Sequence, residues 1–406
     1  MLENSFGKFL EEMLSLSTDY SIVSIDKDDQ AETIFINIRY NKDFYLESGK
    51  YRRLYDLAPK RVWQHLGWFQ YQCFISCRLP RYLNKENKVK TVQPTFANSM
   101  KGYTLLFASH IIETLKKIKV QQTTADLYKT SPYIVRSIME EAVENGLTKR
   151  GIVSDLVNVS LDEKAFLNGH NYATILIDSD KGHVVEMTEG RKGENVKTLF
   201  FSVTDQEKHP QIKRVNIDMW EPYINTMKEI APNATQVHDK FHLVGKLSDA
   251  IDKTRRQEVK TEPLLKLNKY TVLKNEENRT PKQQTSFELI NQANLKTAQA
   301  WKIRENFKDI FSFTNLSEIK TTYENWIKDA LESGIKYVKN VVETFERHHE
   351  GVMNAFITKT TSGKHENTNG RIQAVLAKAR GFRNFERFRI NILFHFSNLN
   401  LFPLKI

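Results

Sequence analysis

Three acids far apart in this chain can hold a hard metal ion if the fold brings them together. The first, Asp162, follows an alternating apolar run from Val157 to Leu161. The second, Asp218, follows the run Val215 to Ile217, after which Trp220, Glu221, Pro222 and Tyr223 open a new element. Pro222 suits the first turn of a helix, where its missing N–H costs nothing. The third, Glu366, stands at the start of a late helix with Ile372, Val375, Leu376 and Ala379 on one face. Mg²⁺ prefers oxygen ligands, a few carboxylates with water and phosphate, and Mn²⁺ can take its place. Two such ions clamp the attacking and leaving oxygens of a phosphodiester, and the acids that hold them come from distant segments. Taken singly, each acid is more often a solvated residue. An acid where a buried strand stops, however, sits where α/β sheets place their chemistry.

Asp239 and His242 form a second, smaller pattern, D-x-x-H at the start of a helix. One reading is support or DNA contact beside the metals. The other is an acid near a helix N-terminus with a partly buried histidine. Zinc is disfavoured, because the pair supplies at most two of four ligands.

The segment that must position the first two acids alternates strand and helix. Val157–Leu161, Tyr172–Ile177 and His183–Met187 read as strands, then Glu194–Val203 as a helix and Ile212–Ile217 as a strand. Pro222–Ile230 (helix), Ala234–Val237 (strand) and Lys240–Thr254 (helix) complete the order β-β-β-α-β-α-β-α, that of ribonuclease-H-like domains. Upstream, residues 1–100 read as a short amphipathic helix and several strands, including Ile22–Ile25, Thr33–Ile38 and one strand over Trp68–Leu79. Asn41–Lys50 and Asn84–Lys90 read as polar connections. Residues 101–150 change to helical period. Ser131 caps and Pro132 opens a helix over Tyr133–Asn145 with Val135, Ile138, Met139 and Ala142 inward. This is a helix-turn-helix pattern, with Tyr133, Arg136 and Ser137 on the exposed face of its recognition helix; plain three-helix packing is the alternative. Residues 255–358 are charged and helical, anchored by Trp301, Trp326, Phe307 and Phe311, with Asn275–Gln284 a loop. The expected fold is multidomain α+β. It has a small β-rich module (1–100), a helix-turn-helix (101–150), and a ribonuclease-H-like α/β core (151–254). An all-α insertion (255–358) interrupts that core, and C-terminal helices carrying the last acid (359–406) complete it.

The chain of 406 residues carries 60 Lys and Arg against 49 Asp and Glu, a net charge of +11. That sign favours a polyanion, nucleic acid first, although a merely basic soluble protein has the same charge. Near the C-terminus Arg371, Lys378, Arg380, Arg383, Arg387 and Arg389 interleave with Phe382, Phe385 and Phe388. Such a face can meet phosphates while its rings pack inward, or be a solvated surface. The two cysteines, Cys73 and Cys77, alternate on one strand face and read as buried thiols rather than a disulfide or half a metal site. Their scarcity fits a reducing cytosol. Met1–Ser17 does not read as a signal peptide, and no run approaches transmembrane length, so no membrane partner is expected.

Taken together, several motifs resemble those of the ISL3 family of insertion-sequence transposases, enzymes with a DDE triad. They are Leu161–Phe166 with Gly169–Tyr172, Glu189-Gly190-Arg191, Asp218–Tyr223, Asp239–His242, Arg255-Arg256-Gln257, and Glu366–Asn369 with Ala379–Phe382. The resemblance implies that Asp162, Asp218 and Glu366 are the metal-holding triad and that Asp239 and His242 are an accessory motif. It implies a cytoplasmic, nucleoid-associated bacterial protein that cuts double-stranded DNA at the terminal inverted repeats of its element and joins the freed ends to a target. A homodimer is expected, because two ends must be paired. The family carries an N-terminal zinc ribbon of two C-x-x-C pairs. Here the corresponding positions are Tyr45, Ser48, Asn84 and Asn87, so no structural zinc is expected. Two rival readings remain: a decayed copy that only binds DNA, and a ribonuclease-H-like nuclease of another purpose.

Overall fold

The structure is a computed structural model. It describes residues 2–403 except 15, 42–50, 85, 99, 168, 170, 359–362 and 380, and no side chain among 2–6, 51–53, 363–367, 369 and 378–379. The chain divides into two compact units, residues 1–151 with 393–406, and residues 152–392.

Among the described residues, the first unit opens with α1 (Leu2–Met13) and the strands β1 (Tyr20–Asp28), β2 (Thr33–Tyr40), β3 (Tyr51–Leu57), β4 (Arg61–Trp68), β5 (Tyr71–Cys77), β6 (Pro80–Asn84) and β7 (Val89–Thr91). They form a four-stranded sheet, β1-β2-β5-β4, and a three-stranded one, β3-β6-β7. Alternate residues Ile34, Ile36 and Ile38 of β2 bury against Cys73, Ile75 and Cys77 of β5 and Trp63 of β4. Both cysteines are buried free thiols, and burial pushes them up to about 12 and about 11. The strand expected over Trp68–Leu79 is β5, shorter at both ends: Trp68 is the last residue of β4, and Phe69 takes a left-handed turn (φ 54°) between the two. The polar Asn84–Lys90 segment is partly strand as well. Asn84 Oδ1 accepts the backbone N–H groups of Glu86 and Lys88 (3.0 and 2.9 Å) and so closes the turn between β6 and β7. Tyr45 and Ser48 lie outside the described residues, as does most of the Asn41–Lys50 connection.

Three helices follow: α2 (Leu105–Ile118), α3 (Gln121–Leu127) and α4 (Pro132–Arg150). The Ser131 hydroxyl accepts from Ile134 N, with Pro132 at the first turn, as the sequence predicts. Val135, Ile138, Met139 and Ala142 are the buried stripe of α4.

The second unit is built on a five-stranded sheet in the order β10-β9-β8-β11-β12. Its elements in chain order are β8 (Asn158–Leu167), β9 (Asn171–Asp178), β10 (His183–Glu189), α5 (Gly193–Thr204), β11 (Arg214–Ile217), α6 (Glu221–Ile230), β12 (Thr235–His238) and α7 (Lys240–Glu258). β8, β9 and β10 form an antiparallel meander, while β11 runs parallel to both β8 and β12. Val159 and Leu161 of β8 pack with Val196, Leu199, Phe200, Tyr223 and Met227 of α5 and α6. The opposite parity of β8, Ser160, Asp162, Lys164 and Phe166, therefore faces the other side of the sheet.

Further α-helices follow among the described residues: α8 (Lys269–Leu273), α9 (Pro281–Gln292), α10 (Lys296–Asp309), α11 (Leu316–Glu332), α12 (Lys336–Arg347), α13 (His349–Thr358), α14 (Gly363–Ala379) and α15 (Phe385–Phe396). Phe307 is fully buried, its ring 4.9 to 5.9 Å from those of Trp326, Phe345, Phe356 and Phe311. The loop expected over Asn275–Gln284 is corrected: Thr280 caps α9, Pro281 opens it, and Gln283 reaches back to the Thr280 N–H. α13 packs on β12, where Asn354 Nδ2 donates to Gln236 O (2.9 Å). Among the described residues no helix is long and apolar enough to cross a membrane.

Candidate active site

Asp162 is not at the end of its strand, which corrects the sequence expectation. β8 continues to Leu167 because β9 pairs with it along its whole length, to Leu167↔Asn171. What stops near Asp162 is the parallel ladder: β11 pairs with β8 only as far as Asn216↔Ser160. Asp162 and Asp218 therefore stand level, each two residues beyond that last pair. A small pocket is lined there by Ser160, Leu161, Asp162, Asn216, Ile217, Asp218, Asp239 and His242.

His242 joins the two acids. Its Nε2 lies 4.0 Å from Asp162 Oδ1 and its Nδ1 lies 3.8 Å from Asp218 Oδ2. Each acid is oriented by its own chain: Asp162 Oδ1 accepts from Glu163 N (2.8 Å), and Asp218 Oδ1 from Met219 N (2.6 Å). The burial of the two differs, at 6% and 40% side-chain exposure. Asp162 is thus shielded by the sheet while Asp218 opens to solvent. Asp239 caps α7, accepting from Phe241 N (2.7 Å), and this fixes where the first turn presents His242.

Lys164, two residues beyond Asp162 on the same face, brings its ammonium to 2.7 Å from Asp162 Oδ2. The contact has ion-pair distance without hydrogen-bond alignment, so Oδ2 is a buried carboxylate oxygen with no directed donor. Sequence reading passed over Lys164, although a period of two places it beside Asp162. Among the described residues no three His, Cys, Asp or Glu side chains are gathered as a complete metal site.

Below Asp218, the buried His238 donates from Nδ1 to Ile217 O (3.2 Å). Burial lowers its pKa, with the His348 ring 5.5 Å away adding to that effect, so the ring stays neutral and holds the end of β11. Glu366 lies on α14, two residues before Thr368, whose hydroxyl donates to Gly182 O (2.7 Å); the Glu366 side chain lies outside the described residues.

The expected DNA-contacting residues are distributed as follows. Tyr133 on α4 is exposed and lies under the Arg136 guanidinium (5.2 Å), whose Nε is 3.5 Å from Glu140. Ser137 is half-buried and accepts from Lys101 Nζ (3.0 Å). Arg371 and Arg383 are exposed, whereas Arg380 and the Lys378 side chain lie outside the described residues. The rings of the C-terminal stretch do pack inward, Phe388 stacking on Phe166 of β8 (5.7 Å). Arg389 is turned inward too: it forms a two-pronged pair with the buried Glu186 (2.8 and 2.7 Å), so its charge is spent inside the fold.

Residues 159–392 match the family model DDE_Tnp_ISL3, described as a transposase. The chain belongs to the ISL3 family of DDE transposases. It is 24% identical over 358 residues to the transposase for insertion sequence element IS1557 of Mycobacterium tuberculosis, covering 80% of this chain and 79% of that protein. It is 25% identical over 247 residues to the transposase for IS1001 of Bordetella parapertussis, covering 59% of this chain and 61% of the other. The ISL3 match begins on β8 and ends on α15, so it includes Asp162, Asp218, Asp239, His242 and the helix bearing Glu366.

Proposed function

We propose that this ISL3-family chain binds the terminal inverted repeats of an insertion sequence and catalyses metal-dependent cleavage and transfer of DNA strands. The observation that carries the reading is the convergence of Asp162 and Asp218, from neighbouring parallel strands, on one histidine. The sheet order 3-2-1-4-5, an antiparallel meander joined to parallel strands, supports a ribonuclease-H-like core over 151–254. On this reading 255–358 is its helical insertion, 359–406 returns the final acid, and 1–100 with 101–150 reads the DNA ends.

The donor set fits a hard divalent cation. Asp162 Oδ2 is buried with no directed hydrogen bond and already draws one cation, the Lys164 ammonium, to 2.7 Å. Asp162, Asp218 and Glu366 would hold Mg²⁺, with Mn²⁺ able to substitute. When bound, the metal supplies charge stabilisation to the attacking and leaving oxygens of the phosphodiester. Lys164 neutralises the buried carboxylate in the meantime, and His242 sits between the two acids, within 4.0 Å of each. Tyr133, Arg136 and Ser137 on α4 would face the DNA as the second helix of a helix-turn-helix. The Arg136–Glu140 pair is a half-exposed i,i+4 contact of little strength, readily exchanged for phosphate. Arg371, Lys378, Arg380 and Arg383 would add backbone contacts. The protein would act as a homodimer on paired ends in the bacterial cytoplasm, at the nucleoid.

The test is strand cleavage on a duplex carrying the inverted repeat that borders this gene, with Mg²⁺ or Mn²⁺. Wild type is expected to nick at the repeat end, and Asp218→Asn to lose cleavage by ~100-fold or more while still binding. Binding without cleavage by the wild type would instead identify a decayed DNA-binding copy, and cleavage of RNA–DNA hybrids a nuclease of another purpose.

A further inference from the structure

Arg191 stands at the edge of the sheet that carries the acids, on a loop no part of the mechanism uses. Its guanidinium lies between two rings, with Cζ 4.4 Å from the Tyr172 centroid and 4.8 Å from that of Trp220. Trp220 Nε1 donates to the Arg191 carbonyl (3.1 Å), which ties the indole to the residue it covers. The loop beneath is built as firmly. The buried Tyr223 hydroxyl meets Thr174 Oγ1 (2.6 Å), and Thr174 Oγ1 donates to Gly190 O (2.7 Å). Gly190 itself has φ +90°, and a Cβ there would meet Asn195 Oδ1 at 2.8 Å, so only glycine makes this turn.

The held guanidinium is not satisfied. Only Nη1 is engaged, by both oxygens of Glu163 at 3.3 and 3.4 Å, a loose contact of half-exposed groups. Nε and Nη2 make no hydrogen bond to any described residue. The clamp is tied to the strands that carry the acids but stands on the other face of the sheet: Glu163 has the parity of Val159 and Leu161, which pack on α5 and α6, and Trp220 caps α6. An arginine gripped on both faces, with free N–H groups along its edge, has surrendered its rotamer freedom in advance and presents a fork that matches a phosphate.

We propose that Arg191 binds a backbone phosphate of the terminal-repeat DNA from the α5–α6 face of the sheet, as a positioning residue and not a catalytic one. This rests on the DNA-cleaving reading above. The Glu163 contact sets the fork's orientation and yields to phosphate oxygens. The two rings keep the fork in place whether or not DNA is bound.

The experiment uses the full chain and the terminal-repeat duplex, with single neutral methylphosphonates placed in turn along both strands. In the wild type one position is expected to weaken binding about ten- to hundredfold, the scale of a charge-assisted hydrogen bond. Arg191→Gln, which keeps a planar group between the rings, should lose that sensitivity and lower the slope of log affinity against log salt by about 1. Arg191→Lys should keep the slope but show a smaller effect at the sensitive position; it decides the matter if Arg191→Gln does not fold. A wild type that cuts the duplex while all variants keep an identical methylphosphonate profile would overturn the assignment and leave the DNA-cleaving reading standing. A wild type that neither binds nor cuts would take both down together.

Discussion

Asp162 and Asp218 show how one residue type can be placed in two electrostatic settings a few ångströms apart. Asp162 lies within the sheet and is neutralised by Lys164, whereas Asp218 faces solvent at a strand end. A buried carboxylate needs such a counter-charge, because burial without one is costly enough to protonate it. A second buried group makes a measurable statement about stability. His65 is 3% exposed and pairs with the Thr104 hydroxyl (2.8 Å). Burial, with a smaller contribution from His110, lowers its pKa to about 4 from the ordinary 6.5. Between those values the unfolded chain binds a proton that the folded chain excludes. Its contribution is therefore fully present above pH 6.5, declines as pH falls towards 4, and amounts to about 3 kcal/mol. Denaturant unfolding of the first unit's sheet at pH 7 and pH 4.5 should show that loss, and His65→Gln should flatten it. An unchanged pH slope in the variant would exclude His65 as its source.

At the scale of elements, the site depends on how the end of β11 is held. His238 at the end of β12 donates to Ile217 O, and α13 presses on the other side of the ring at Gly351. A Cβ at Gly351 would lie 2.4 Å from His238 Cδ2 and Nε2, so no side chain fits without moving the imidazole. Gly351→Ala is expected to destabilise the second unit by about 1–3 kcal/mol, the cost of overpacking a filled site. Calorimetry would show a lowered melting temperature, and cleavage should fall as well, since Ile217 carries Asp218. A variant as stable as wild type would mean that the ring moves freely. The sequence had the elements here largely legible. Apolar residues alternate in β2 because one face is buried, β9 and β10 carry short runs buried on both faces, and the Ser131-Pro132 cap announces α4. The end of β8 is not legible in this way, because Glu163, Lys164 and Ala165 look like a strand running into a loop. Its full length is set by pairing with β9, which no local pattern reveals. The start of α9 is legible in Thr280, Pro281 and Gln283, although the segment's polarity points to a loop.

Across the whole molecule, the charge of +11 is a property of the partner as much as of the chain. If repeat binding engages six or more phosphates, affinity should fall about a thousandfold or more between roughly 50 and 200 mM salt. Titration of the labelled duplex at several salt concentrations measures the slope, and a flat response would exclude a phosphate-dominated interface. The positive charges are not equivalent, however. Arg389 is consumed by Glu186, and Arg255 and Arg256 both close on the buried Asp252. Arg371 and Arg383 remain exposed.

Composition and local pattern decide which faces are apolar, where helices start, and that acids follow two buried runs, because each depends only on neighbours in the chain. The meeting of Asp162, Asp218 and His242 belongs to the fold alone. It follows from a parallel ladder that stops two residues short of both acids, and from a cap that aims His242 between them. The clamped Arg191 belongs there too, whereas Lys164 beside Asp162 is legible from the period of two within one strand. The partners of Arg191 come together only when segments laid down tens of residues apart pack side by side, and charge alone does not say which basic residues are left to meet a phosphate.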